Sequence, residues 1–128
     1  MILDTSAIIA IIFQENGFNI LLQKIVDAQV VGVSAATLVE AGIVISAKLN
    51  QPSTGILARF VQEVNAQIIP FSGDHYAVAL DAFMKFGKGR HRAALNFGDC
   101  LTYATAKLAN HPLLFVGEDF SKTDLAIA

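Results

Sequence analysis

The stretch Met1-Ile2-Leu3-Asp4-Thr5-Ser6-Ala7-Ile8-Ile9 decides how the rest of the chain is read. It opens as a short apolar strand over Ile2 to Asp4, meets an aspartate and two hydroxyl residues, and continues apolar as a helix to about Phe13. Thr5 or Ser6 is expected to cap that helix, because a side-chain oxygen there accepts from the free N–H groups of the first turn. A carboxylate at the C-terminal end of a first parallel strand stands where open α/β sheets place their ligands. The chain therefore turns on which other acids join Asp4.

Moving outward, Phe18, Leu21, Leu22, Ile25 and Val26 repeat at helical spacing and predict a second helix to about Asp27. Val30 to Val33 reads as a second strand. Ser34 to Thr37 supplies caps for a helix carrying Leu38, Val39, Ile43, Val44 and Ile45, with Glu40 in its first turns. Asn50-Gln51-Pro52 ends it, and another helix follows from Ser53 through Val64. Gln67 to Phe71 is the third expected strand, with Pro70 near its end. Gly73-Asp74 opens a helix that fades at Phe86-Gly87-Lys88-Gly89-Arg90, where two glycines among cations predict a mobile loop. Asn96-Phe97-Gly98-Asp99 opens a further helix, Leu113 to Val116 is a fourth strand, and Leu125 to Ile127 is a possible short last one. Strands alternating with helices imply an α/β fold, three-layered α/β/α, with a mostly parallel central sheet of four to five strands. Residues 1–128 are expected to form a single domain, the commonest domain size.

The composition is 54% hydrophobic and 16% charged, less charge than the roughly 25% of a typical soluble domain, which points either to a generous core or to apolar surface covered by a partner, and a homodimer is the expectation. The longest uncharged stretch, Ala28 to Val39, falls far short of the ~20 apolar residues of a membrane span. With no basic segment ahead of the first apolar run, a cytoplasmic location is the expectation. Cys100 is the only cysteine, which excludes an intrachain disulfide and a cysteine-built zinc site. The formal net charge of −2 does not by itself favour nucleic acid, yet Lys85, Lys88, Arg90 and Arg92 concentrate positive charge within one short segment.

Of eleven acidic residues, Asp4 and Asp119 follow strands directly, Glu40 follows another shortly, and Asp99 sits in the first turn of a helix. Any one of them has a plain reading as a cap or helix-dipole partner, worth roughly 0.3–1 kcal/mol. Four at one edge of a sheet are different, because crowded carboxylates raise one another's pKa unless a cation neutralises them. Without His or Cys partners they are hard oxygen donors, suited to Mg²⁺ or Mn²⁺, and the chemistry that fits such an ion is phosphoryl hydrolysis.

Ile2-Leu3-Asp4-Thr5-Ser6, Glu40 in a post-strand helix, Arg90 through Cys100 with Asn96-Phe97-Gly98-Asp99 at its end, and Gly117-Glu118-Asp119-Phe120 resemble, in order and spacing, the acidic motifs of PIN-domain ribonucleases. In particular they are similar to those of the VapC toxins of bacterial toxin–antitoxin pairs. The resemblance implies a PIN-like fold and an endoribonuclease in which Asp4, Glu40, Asp99 and Asp119 hold Mg²⁺ or Mn²⁺, Ser6 assists through its hydroxyl, and Thr5 serves as a cap. It implies an RNA substrate and a cognate VapB-type antitoxin as partners. Glu118 departs from the family pattern at a position expected to be neutral, and so competes with Asp119 as a ligand.

Around this set, Asp124 is an accessory acid of lower rank. Asn96 is either a helix cap or a hydrogen-bond donor to an acid. Lys88, Arg90 and Arg92 are placed to contact RNA phosphates, with a solvated basic loop as the plain alternative. Cys100 is expected to pack as a small buried residue. His75, His91 and His111 share no ligand spacing, although His91 is within reach of a phosphate. Other readings are a PIN nuclease of RNA processing without a toxin role and a catalytically silent PIN-like binding module. A phosphatase using Asp4 as nucleophile lacks the Asp-x-Asp arrangement, since Ser6 holds the second position.

Overall fold

The computed structural model describes residues 1–128. Its order is β1 (Ile2–Leu3), α1 (Thr5–Ile12), α2 (Phe18–Asp27), β2 (Gly32–Ser34), α3 (Ala35–Leu49), α4 (Thr54–Glu63), β3 (Gln67–Ile69), α5 (Gly73–Phe86), α6 (Phe97–Ala109) and β4 (Leu113–Leu114), followed by a single 3₁₀ turn over Phe120–Lys122. All pairings in the four-stranded sheet are parallel, in the order β3-β2-β1-β4. The chain therefore moves outward from β1 through β2 to β3, then returns to the opposite side of β1 for β4. This reversal sets a topological switch point between β1 and β4, the crevice where open α/β sheets bind ligands.

Two apolar cores sit on opposite faces of the sheet. Leu3, Val33 and Leu114 join residues of α1 to α4, including Ile8, Ile45 and Phe60, in one core. Ile2 and Leu113 join Ala79 and Ala82 of α5 and Tyr103, Ala104 and Ala106 of α6 in the other. Successive residues of a strand point to opposite faces, so the dipeptide Ile2-Leu3 anchors both layers. Its register, Ile2 against Leu113 and Leu3 against Leu114, brings the end of β1 level with the end of β4.

The strands are shorter than the apolar runs in the sequence. Hydrogen bonding continues past them, with Asp4 N–H donating to the Leu114 carbonyl at 3.0 Å and Gln67 N–H to the Val31 carbonyl at 2.9 Å. Pro70, without an N–H, cannot extend β3. The expected last strand is reduced to one bridge, Ile127 beside Leu113.

The first helix differs from expectation at its cap. Its N-cap is Asp4, in an extended conformation, with its carboxylate accepting from Ser6 N–H at 3.0 Å. Asp4 carries the strand's last extended backbone and a side chain of capping length, so Thr5 and Ser6 already belong to the helix. The basic loop after α5 is tied down rather than loose. Lys88 N–H donates to the Leu95 carbonyl at 3.0 Å, Leu95 N–H to Phe86 at 2.9 Å, and Ala93 and Leu95 are fully buried beneath it.

Candidate active site

At the switch point Asp4, Thr5, Ser6, Glu15, Glu40, Asn96, Asp99 and Val116 line one cleft of about 320 Å³. A larger cleft of about 530 Å³ opens on α2 and α4. Its one carboxylate, Glu63, is already paired with Arg59 at 2.8 Å, so the acids concentrate in the smaller cleft.

Asp4 is buried at 5% exposure, and both oxygens of its carboxylate accept hydrogen bonds. One oxygen accepts from Ser6 N–H at 3.0 Å and from Ser6 Oγ at 2.5 Å; the other accepts from Thr102 Oγ1 at 3.0 Å. Thr102, on α6, lies 3.4 Å from the Thr37 hydroxyl on α3, and both threonines are buried. Ser6 Oγ also accepts from Val116 N–H at 2.9 Å. That bond ties the end of β1 to the chain leaving β4 and fixes the width of the crevice.

Glu40 projects from the second turn of α3 and accepts a hydrogen bond from the Thr5 hydroxyl. Its carboxylate lies against the backbone of Gly98, where a Cβ would stand only 2.7 Å from its Cδ and 3.0 Å from its Oε1. Gly98 is in the first turn of α6, so Glu40 also faces the positive end of that helix.

Asp99 belongs to a reciprocal capping box. Asn96 Oδ1 accepts from Asp99 N–H at 2.9 Å, and the Asp99 carboxylate accepts from Asn96 N–H at 3.0 Å. Capping is thus what the Asn96 side chain does, on the wall of the cleft. Burial pushes the Asp99 carboxyl up to about 6 against the lowering influence of the Asn96 N–H, and the charges of Asp4, Asp119 and Glu40 push it the same way.

Asp119 is exposed and precedes the 3₁₀ turn. The turn is anchored by buried Phe120, whose ring meets Phe115 edge-on at 5.2 Å. The field of Asp119 reaches Asp99, whereas Glu118 is not among the groups that act on it. Asp124 lies elsewhere, gripped by Tyr103 Oη and Lys107 Nζ, each at 2.7 Å. Those two donors hold the Asp124 carboxyl below its ordinary range.

Lys88, Arg90 and Arg92 are exposed and outside the acid cleft, with the Arg90 guanidinium 5.5 Å from the Phe83 ring centre. His91 accepts from Ala93 N–H through Nδ1 at 3.0 Å and packs against Phe86. Cys100 is buried in the α5–α6 core.

As they stand, no three His, Cys, Asp or Glu side chains are grouped so that they could hold a metal ion between them. The cleft offers oxygen donors from Asp4, Glu40 and Asp99, and Asp99 feels its acidic neighbours. This donor set fits a hard cation such as Mg²⁺, which keeps several waters and needs few direct carboxylates.

Sequence reasoning missed Thr102, Thr37, Gly98, Glu15 and the backbone of Val116. For Thr102 the one available signal was a hydroxyl a single helical turn beyond Asp99, among apolar neighbours. Gly98 stood in the quoted motif, but only the approach of Glu40 gives it a purpose.

The chain is similar to known proteins. Ribonuclease VapC36 of Mycobacterium tuberculosis is 44% identical to the chain over 126 residues, which cover 98% of this chain and 91% of the relative. Among solved structures, VapC20 of Mycobacterium tuberculosis, described as a sarcin–ricin loop cleaving toxin, matches with a TM-score of 0.79 at 15% identity, covering 99% of this chain and 97% of that one. A toxin–antitoxin complex from Klebsiella pneumoniae matches with a TM-score of 0.72 at 20% identity, covering 99% of this chain and 95% of that one. The two structural likenesses concern the fold. Residues 1–125 match the PIN domain model, and the chain belongs to the PIN domain family.

Proposed function

We propose that the chain is an endoribonuclease that hydrolyses RNA phosphodiester bonds with the help of Mg²⁺ or Mn²⁺, acting as the toxin of a type II toxin–antitoxin pair. The observation that carries this reading is the shared cleft of Asp4, Glu40 and Asp99 at the β1–β4 switch point, with the field of Asp119 reaching into it. The similarity to VapC ribonucleases supports the substrate class and the toxin role. The toxin–antitoxin complex of similar fold supports a VapB-type antitoxin as partner. Apolar side chains left exposed on α2 and α5, including Ile20, Val26, Leu80 and Met84, support a homodimer or another covered face.

Asp4, Glu40, Asp99 and Asp119 would hold the cation. When bound, it neutralises the phosphodiester and lowers the pKa of an attacking water. The remaining work belongs to the chain. Ser6 and Thr102 fix the Asp4 carboxylate, Thr5 and Gly98 fix Glu40, and the Asn96 cap fixes Asp99. Such positioning keeps donors aimed at the reacting phosphate without reorganisation. Lys88, Arg90 and Arg92 would contact phosphates away from the cleft.

The test is incubation of the purified protein with total bacterial RNA in Mg²⁺ or Mn²⁺, with sequencing of the new 5′ ends. Discrete cleavage is expected for the wild type, none with EDTA, and none for Asp4→Asn or Asp99→Asn. Cleavage that persists in both variants would overturn the assignment, and cells expressing them should grow where the wild type arrests them.

A further inference from the structure

Phe97 is the first residue of α6, between the cap Asn96 and the Gly98–Asp99 pair. The residue is 81% exposed, more than any other large apolar residue of the chain, and neither core includes it. Beside it a cleft of about 440 Å³ runs between α3 and α6, lined by Val39, Ile43, Val44 and Leu101, with Glu40 as its only charged residue. Glu40 also lines the acid cleft, so the apolar and acid clefts meet at one carboxylate. An aromatic ring in water at the lip of an apolar cleft, adjoining acids suited to a phosphate and its cation, matches the alternation of phosphate and base along a single strand. Single-stranded RNA is recognised largely by splaying bases onto aromatic side chains.

We infer that Phe97 is the stacking platform for the nucleobase next to the scissile phosphate, and that the cleft between α3 and α6 receives that base. The inference rests on the nuclease reading above and adds to it a substrate-binding residue. Charge argues against a second copy as the occupant. A two-fold contact centred on Phe97 would bring two sets of Glu40 and Asp99 towards each other, whereas a base brings no negative charge into the apolar cleft. Stacking is tolerant of sequence, because every base has a π-face. Phe97 therefore supplies affinity, and selectivity falls to other contacts.

The probe is a short single-stranded RNA spanning a site that the wild type cleaves in total RNA, compared across wild type, Phe97→Ala, Phe97→Tyr and Phe97→Trp. Phe97→Ala should raise KM roughly ten-fold to a hundred-fold, the range of one lost base–aromatic stack, with kcat within about two-fold. Phe97→Tyr and Phe97→Trp should restore KM. The chain contains no tryptophan, so Phe97→Trp introduces a lone indole whose fluorescence should be quenched by the intact RNA and not by the same RNA made abasic beside the cleaved bond. Wild-type cleavage with an unchanged KM in Phe97→Ala would overturn the inference and leave the nuclease reading intact. So would a fall confined to kcat, or an indole that responds to protein concentration or to a protein partner but not to RNA. If the wild type cleaves nothing, the nuclease reading fails on its own, and the indole titrated with total RNA still decides whether bases stack there.

Discussion

The carboxylate of Glu40 occupies the space that a side chain at residue 98 would fill, so Gly98 is the floor on which Glu40 rests. Glycine is required here for space, since only it lets α3 and α6 approach with an acid between them. Gly98→Ala is expected to displace Glu40 from the cleft and lower kcat at least ten-fold while the protein stays folded, because Glu40 can swing outward. Cleavage rates beside a circular dichroism melt check this, and wild-type activity in Gly98→Ala would contradict it.

Thr102 holds a buried carboxylate from the side opposite Ser6. Thr102→Val keeps the shape and removes the donor, leaving one oxygen of Asp4 short of a partner. Loss of such outer contacts typically costs about 10- to 100-fold in metal affinity or activity. Thr102→Val should lower the apparent Mn²⁺ affinity by that order, measured by titrating activity against the ion, and Thr102→Ser should recover most of it. Thr37→Val, one hydroxyl further from Asp4, should do less.

The Asp99 carboxyl, raised from an ordinary value near 3.8 to about 6, gives the metal-free protein a pH signature. Below pH 3.8 both folded and unfolded chains are protonated there, and Asp99 contributes nothing. Between the two values the unfolded chain releases its proton first, so stability falls as pH rises and the penalty is complete above about 6. Thermal melts in EDTA should show this decline between about pH 4 and 6, and Asp99→Asn should remove its share. Adding Mn²⁺ should raise Tm more at pH 7 than at pH 5, and equal shifts at both pH values would count against a cation beside Asp99.

Asp124 and Asp119 should separate cleanly. Asp124 joins the partly exposed Lys107 to Tyr103, an arrangement that stabilises rather than reacts. Asp124→Asn is expected to cost about 1 kcal/mol in a denaturant melt, the usual size of such hydrogen bonds, with cleavage retained. Asp119→Asn should do the reverse. If Asp124→Asn silences cleavage in a folded protein, the accessory role for that acid returns.

The α/β alternation, six helices and the approximate place of every strand were legible in the sequence, because apolar periodicity and turn residues are local. Asp4 and Asp99 were legible too, since each stands at a junction that punctuation marks. What escaped was tertiary. Thr5 and Glu40 are 35 residues apart, and Thr102 and Asp4 are 98 apart. No local pattern foretells that two hydroxyls will find those carboxylates. Asp124 misled for the opposite reason: it is near Asp119 in sequence, but the 3₁₀ turn carries it along α6 to Tyr103 and Lys107. The capping assignment erred by one residue because aspartate is as good a cap as threonine or serine, and Asp4 holds the extended backbone that a cap needs.

The bond from Val116 N–H to Ser6 Oγ joins the two ends of the chain across 110 residues, and Asp4 N–H reaches Leu114 in the same seam. Asp4 leaves the ribosome beside Ser6, but Thr102 follows 98 residues later, and Leu114 and Val116 later still. Until then there is no crevice. A chain stalled or truncated before Leu114 carries Asp4, Glu40 and Asp99 without the seam that holds the end of β1 in place, so it should fold poorly around them and bind no cation there.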